Sequence, residues 1–282
     1  MFSAEPANRS AGSDSAAFAP FRRIEGRVAS GLVIVADHAS NALPAEYGTL
    51  GLAAEDLGRH IAYDIGVEPL AEALAARIGC PAVLAGFSRL LIDANRGDDD
   101  PTLIMRLSDG AVVPGNAAVD PSERRRRIAR FWRPYSDAIG AAVDAGFAAG
   151  RPPILVSVHS FTPVWRGRPR PWHCGILWDQ DPRLAVALID RLRADPALVV
   201  GDNEPYDGAL RGDTMFRHGT SRGLAHAIIE VRQDLIAEAT GVAQWAARLA
   251  PMLIELAGTT ELHDIEMHGS RTGPVPASGS DR

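Results

Sequence analysis

Four apolar runs of the chain stop abruptly at polar residues. Residues 154–158, Ile-Leu-Val-Ser-Val, lead into His159-Ser160 and follow the breaker Gly150-Arg151-Pro152-Pro153. Residues 32–36 lead into Asp37-His38, residues 90–92 into Asp93-Ala94-Asn95-Arg96, and residues 227–229 into Glu230-Val231-Arg232. Short continuous apolar runs bounded by turn residues predict fully buried strands. In open α/β sheets the carboxyl ends of such strands face the ligand crevice. The pattern therefore predicts that His38, the Asn95-Arg96 pair, His159 and Glu230 converge at one sheet edge.

Between these runs the apolar period changes to that of helices. Leu57, Ile61 and Ile65 make one stripe and predict a helix over 56–65, and Leu70, Leu74 and Ile78 predict another that stops at Gly79. Residues 82–85 read as a strand and 98–116 as a long loop, of the kind that covers a site. Asp120-Pro121 opens a helix that runs to about 147 and bends near Pro134. Strands follow at 174–178 and 198–200, a helix opens at Asp181-Pro182 with Leu184, Leu188 and Leu192 on one face, and a last helix covers 241–256 with a kink at Pro251. Alternation of this kind predicts an α/β fold with a mainly parallel or mixed sheet and helices on both faces. Residues 1–22 and 259–282 are polar, contain Gly, Ser and Pro, and lack apolar period, so both are expected to be disordered, with His263 and His268 inert. That leaves 23–258 as a single α/β hydrolase domain.

Composition narrows the function classes. With 282 residues, 46% of them hydrophobic, the chain can bury a sizeable core, and its net charge of −6 argues against nucleic acid as partner. The basic run at 124–127 reads as a solvated helix face. Two cysteines are too few for a disulfide framework or a thiolate zinc site, and they fit a reducing compartment. The N-terminal stretch has neither the basic start nor the apolar core of a signal peptide, and no apolar run reaches the ~20 residues that span a bilayer. The expectation is a cytoplasmic protein without membrane contact; its oligomeric state is not written in the sequence.

The candidate residues suit a metal hydrolase. Imidazole and carboxylate are typical ligands of catalytic zinc, which lowers the pKa of its water to about 7. Glu230, at the end of a buried strand, is placed to take a proton and return it to a departing amine; the plain alternative is a salt bridge to Arg232. Arg96 offers a planar fork for a carboxylate, and Asn95 a donor for a carbonyl that gains charge. His60 and Asp64, four apart on the expected helix, face one way and either grip an ion or form an ordinary surface pair. The arginine- and tryptophan-containing loop 161–173 is a candidate binder of an anionic substrate. No G-x-S-x-G elbow, P-loop or dinucleotide fingerprint is present.

Taken together, Asp37-His38-Ala39-Ser40-Asn41-Ala42-Leu43-Pro44, Arg59-His60-Ile61-Ala62-Tyr63-Asp64-Ile65-Gly66, Ser88-Arg89-Leu90-Leu91-Ile92-Asp93-Ala94-Asn95-Arg96 and Ile229-Glu230-Val231-Arg232-Gln233-Asp234 resemble the N-formylglutamate amidohydrolase family over about residues 25–257. The order His38, Asn95-Arg96, His159, Glu230 also looks like the zinc carboxypeptidase plan. The resemblance implies a zinc carboxypeptidase/phosphorylase-hydrolase-like fold, a divalent metal taken as zinc, and hydrolysis of N-formyl-L-glutamate to formate and glutamate late in histidine breakdown. It further implies His38 and His159 as metal ligands, Glu230 as general base and Arg96 as carboxylate anchor. Carboxypeptidase-like enzymes carry a glutamate three residues after the first histidine, where this chain has Asn41. The third ligand is therefore expected from His60 or Asp64, with Asp64 favoured for its charge. The arginine-rich loop at Arg166 to Arg170, with Arg168 foremost, together with Arg222 and Arg232, is expected to offer partners for a second substrate carboxylate, as a glutamate side chain would require. Two alternatives stay open: a carboxypeptidase-like hydrolase of another acyl or peptide amide, and a non-catalytic metal- or ligand-binding homologue, which Asn41 supports.

Overall fold

The computed structural model describes residues 18–275. Its main sheet has seven strands: β1 (Phe21–Ile24), β2 (Leu32–Ala36), β3 (Ala82–Ala85), β4 (Ile154–Phe161), β5 (Cys174–Leu177), β6 (Val200–Asp202) and β7 (His226–Arg232). The spatial order is β1-β3-β2-β4-β7-β5-β6. Strands β3, β2, β4 and β7 run parallel, while β1 against β3 and β5 against β7 are antiparallel. The sheet is thus mixed, with a parallel centre.

That centre explains the continuous apolar runs. Leu32, Ile34 and Ala36 of β2 join one core cluster and Val33 and Val35 join the other, so both faces of the strand are buried. Helices α2 (Val67–Ile78), α5 (Pro182–Arg193) and α7 (Ala239–Ala257) bury Leu70, Leu74, Leu188 and Leu249 in the first cluster. The second cluster takes Tyr135, Ile139 and Val143 from α4 (Arg133–Ala148) and the segment around Phe87 to Ile92. Helix starts follow side-chain capping: Asp120 accepts from the Ser122 and Glu123 amides, both at 2.8 Å, and Asp181 from that of Arg183 at 3.1 Å. The long helix expected from Pro121 is interrupted. Helix α3 (Pro121–Arg127) passes through a π turn (Ile128–Trp132) into α4, just before Pro134, which has no N–H to bond back to the preceding turn.

Two expected elements are corrected. Residues 90–92 are not a strand but a buried turn. Leu91 N bonds to Ser88 O at 2.9 Å, Asn116 and Arg127 side chains donate to the Leu90 and Leu91 carbonyls, and Asp93 N bonds to Leu103 O at 2.7 Å. Leu90, Leu91 and Ile92 are all buried, so a run that is apolar on every side reads like a strand. Residues 56–65 do not form one helix either: α1 covers only Ala54–Leu57. Beyond it the Ala62 carbonyl accepts from Ser88 Oγ (2.8 Å) and Arg89 N (3.2 Å), while Asp64 N bonds to His38 O at 2.9 Å. Backbone groups that a helix would pair internally are paired across loops instead.

The segments expected to be disordered are partly built. Phe21 and Arg22 pair with Ala85 and Leu84. In the tail, His263 Nδ1 meets the Pro152 carbonyl at 2.8 Å, and Arg271 bridges Asp179 and Asp207. Residues 1–17 and 276–282 lie outside the described residues. Among the described residues no helix is long and apolar enough to cross a membrane.

The chain leaves β2 for β3 on one side and later places β4 on the other. The order reverses there, and a crevice opens at the carboxyl ends of β2 and β4.

Candidate functional site

Three neighbouring parallel strands deliver the first residues to that crevice. Asp37-His38 follows β2, His159 lies near the end of β4, and Glu230 of β7 is in register with His159, so their side chains stand side by side on one face. Asp64 arrives on the turns after α1, tied to the His38 carbonyl by its own amide. Asp64 Oδ2 lies 2.8 Å from His159 Nδ1 and 3.4 Å from His38 Nδ1. One donor atom from each of these three buried residues falls within 4.8 Å of the others, the arrangement a metal ion needs.

A second ring of carboxylates orients the imidazoles. His38 Nε2 is 2.7 Å from Asp93 Oδ1, and His159 Nε2 is 3.1 Å from Asp37 Oδ2. Each ring then offers its Nδ1 to the centre, as histidine ligands backed by carboxylates do. Asp93 is held by Arg89 at 3.0 Å, and Asp37 by Ser157 at 2.8 Å, Tyr135 at 3.0 Å and Thr214. Burial works to raise the Asp37 and Asp64 pKa, but the adjacent histidines override it and hold both well below the usual carboxylate range. Asp93 is likewise held low against burial, by Arg89 and His38. His159 moves the opposite way: burial would lower its pKa, yet hydrogen bonds to Asp37 and Asp64 raise it well above that of a free imidazole.

The residues fit a divalent cation. His38 Nδ1 is buried and has no hydrogen-bond partner among the described residues. Asp37, Asp64 and Asp93 place three carboxylates around the centre, and among the described residues Arg89 is the guanidinium that pairs directly with them. Two imidazoles and one carboxylate form a donor set suited to zinc.

The group forms the floor of a cavity of about 340 Å³ that Asn95, Arg96, His60 and Glu230 also line. Burial pushes the Glu230 carboxyl up to about 7, with His159 and His38 opposing and Asp64 reinforcing the shift. Its Oε2 is buried without a partner. Asn95 spends its side-chain oxygen on the Thr214 amide at 3.1 Å and keeps its NH2 free of described partners. Arg96 bonds to Thr102 Oγ1 at 3.3 Å and to the Asn95 carbonyl at 2.9 Å, with no carboxylate paired to it among the described residues.

Other expected residues fall elsewhere. His60 reaches the cavity wall, but its Nε2 faces Asp109 at 3.3 Å and stands apart from the three-donor group. Asn41 turns its amide to the Leu57 carbonyl at 2.8 Å. Arg168 sits exposed on a two-residue ribbon, Arg222 pairs with Asp144 at 2.6 Å, and Arg232 pairs with Asp234 at 2.8 Å; none of the three lines the cavity. The corrections share a cause, since each guanidinium follows a nearby acceptor or solvent. Sequence reasoning missed Arg89, Asp37 and Asp93 as supports of the site. The four-residue step from Arg89 to Asp93 and the Asp-His dipeptide were the available signals.

Comparison with known proteins gives the same direction. The family model described as N-formylglutamate amidohydrolase matches residues 30–237. The N-formylglutamate deformylase of Pseudomonas putida is 26% identical over 189 residues, 59% of this chain and 67% of that protein. Among solved structures, gene product Atu2144 from Agrobacterium tumefaciens is 33% identical with a TM-score of 0.78, covering 86% of this chain and 96% of that one. The N-formylglutamate amidohydrolase from Ralstonia eutropha JMP134 shares the fold at 24% identity and a TM-score of 0.66, over 86% of this chain and 98% of that one.

Proposed function

The chain belongs to the N-formylglutamate amidohydrolase family, and on that premise we propose that it hydrolyses the amide of a small N-acyl acidic amino acid, foremost N-formyl-L-glutamate, to formate and L-glutamate. The observation that carries this reading is the convergence of His38, Asp64 and His159 beside Glu230, whose Oε2 is unpartnered. Residues 23–258 are taken as the catalytic domain. A cavity of about 340 Å³ lies at the small end of the range for small-molecule sites.

His38, Asp64 and His159 would hold a divalent cation, zinc by donor type, and such an ion polarises a carbonyl and makes hydroxide available near neutral pH. Glu230 takes a proton from the attacking water as oxygen bonds to the formyl carbon. The same carboxyl then gives that proton to the amine nitrogen as the C–N bond breaks. Burial raises the Glu230 carboxyl above its ordinary value, which favours its return of the proton in the second step. Arg96 anchors the α-carboxylate through its guanidinium fork. The Asn95 amide donates to the carbonyl oxygen as negative charge gathers there.

The test is elemental analysis of untagged protein together with formate release from N-formyl-L-glutamate. About one equivalent of zinc and chelator-sensitive release are expected, and Glu230→Gln should cut release by about 10³-fold while retaining the ion. Protein without metal, or Glu230→Gln at the parent rate, would overturn the mechanism.

A further inference from the structure

One buried cation beside the cavity lacks a counter-charge. Arg170 is only 9% exposed, and no carboxylate of the described residues pairs with it. Its Nη1 donates to Tyr206 Oη at 3.0 Å and to Thr162 Oγ1 at 3.2 Å, whereas its Nε and Nη2 donate to no described residue. The guanidinium sits among three rings, 4.9 Å from the centroid of Tyr206, 5.3 Å from Trp165 and 5.8 Å from Phe161. Arg89 is neutralised by Asp64 and Asp93 and the buried Arg127 by Glu123, while Arg217, also without a carboxylate partner among the described residues, gives its Nη donors to the carbonyls of Ala94, Arg96 and Gly212. A charge taken out of water is ordinarily paired, because its desolvation is otherwise uncompensated.

The surroundings of Arg170 open onto the cavity. Phe161, Thr162, Trp165 and Tyr206 all line it. Tyr206 is held in place by its loop, since Asn203 Oδ1 accepts from the amides of Trp178 at 2.9 Å and Gly208 at 3.0 Å. Gly208 is needed there, because a Cβ would come within 2.2 Å of Trp178 N. Arg170 occupies one lone pair of the Tyr206 oxygen, so the hydroxyl proton is left for another acceptor. Burial and the Glu230 charge raise the Tyr206 pKa, which keeps that proton on the ring.

We propose that Arg170 and Tyr206 form the subsite for a second, side-chain carboxylate of the substrate, and that Arg170 sets the preference for an acidic over a neutral side chain. Tyr206 donates to the carboxylate and Arg170 supplies the opposing charge through its free Nε and Nη2. Arg96 keeps the α-carboxylate, so two cations that lack carboxylate partners serve two acids. The proposal rests on reading the cavity as an N-acyl amino acid site. Arg170 does not itself line the cavity but is bonded to Thr162 and Tyr206, which do, whereas Arg168 is exposed and Arg222 and Arg232 pair with Asp144 and Asp234.

Calorimetric titration of the turnover-silent Glu230→Gln protein with N-formyl-L-glutamate and N-formyl-L-glutamine isolates the subsite, because the ligands differ by one charge at nearly equal size. The acid should bind about 30-fold tighter than the amide. Adding Arg170→Gln should bring the two within about 3-fold by weakening the acid alone, and adding Tyr206→Phe should weaken the acid by about 5-fold. Equal weakening of both ligands by Arg170→Gln, or an undiminished preference, would overturn the proposal. Should Arg170→Gln fail to fold, Tyr206→Phe decides in the same way. Formate release by the parent is read separately. Preference without release removes the reaction and leaves the subsite, release without preference removes the subsite and leaves the reaction, and binding of neither ligand removes both.

Discussion

The cavity has two halves built on different principles. The floor stands on strand ends: His38, His159 and Glu230 come from adjacent parallel strands and are buried, and each imidazole is held by a carboxylate that is itself hydrogen-bonded. The rim is carried by loops, where Arg96, Asp109, Trp165 and Tyr206 come from four separate segments and are at least partly exposed. Rigid elements hold a constellation to within fractions of an ångström, and loops tolerate change. The floor is accordingly suited to the bond-breaking step and the rim to deciding which molecule reaches it.

If that division holds, damage to the floor should be severe and indifferent to substrate. The largest effect is expected from His159→Ala, which removes one of three donors and should reduce bound zinc from about one equivalent to a small fraction, with formate release falling by about 10⁴-fold. Elemental analysis decides this without an activity assay, and full zinc occupancy in the variant would mean that the ion sits elsewhere. Next comes Asp93→Asn, which touches no substrate. It takes the charge from the acceptor of His38 Nε2 and leaves Arg89 with only Asp64. Zinc affinity, measured by competition with a chromophoric chelator, should drop about 10- to 100-fold. An unchanged affinity would show that the outer carboxylates do not orient the ring.

The same division explains what could be read from the sequence. Strand ends were legible because an apolar run ending in His or Glu fixes both an element and a position on it, and the structure brings His38, His159 and Glu230 together as that pattern implied. Asp64 lies beside the two histidines, although the helix expected to carry it is a set of turns. The strand expected at 90–92 shows the limit of the argument, since burial on all sides leaves the same trace whether the backbone is extended or turned. Loop residues have no period to argue from. The arginines of 166–170, with Arg222 and Arg232, could not be told apart in the sequence, and only the fold shows that Arg170 packs among cavity-lining rings while Arg222 and Arg232 pair with Asp144 and Asp234.

Rim substitutions should be smaller and selective. Arg96→Ala should raise KM for N-formyl-L-glutamate by about 10- to 30-fold, the worth of a charged hydrogen bond, and leave kcat within a few-fold. Arg222→Ala, which removes a pair with Asp144 and a stacking contact on Phe147 but no residue of the cavity wall, serves as the control and should leave KM unaltered. A kcat collapse in Arg96→Ala with unchanged KM would move Arg96 from substrate anchor to the bond-breaking step.

The smallest effect tests whether the order of the floor continues into the layer behind it. His218 of α6 (Thr214–His218) is buried and bonds to Ser136 Oγ at 3.0 Å, and burial, with Arg217 and Arg222 nearby, pushes its pKa down to about 3. It contrasts with His159: burial keeps the His218 imidazole neutral, whereas two carboxylates raise the pKa of His159 when no metal is bound. The folded pKa lies below the ordinary value of about 6.5, so at mildly acid pH the unfolded chain binds a proton that the folded chain refuses. Stability from this group is complete above about 6.5 and is lost as pH falls toward 3. Between pH 7.5 and 5.5 the parent should lose about 1.4 kcal/mol more than His218→Gln in denaturant unfolding, because glutamine can keep a bond to Ser136 but cannot take up the proton. Equal losses in the two proteins would mean that α6 opens readily enough for His218 to titrate in place, and the rigid half of the molecule would then end at the strand ends themselves.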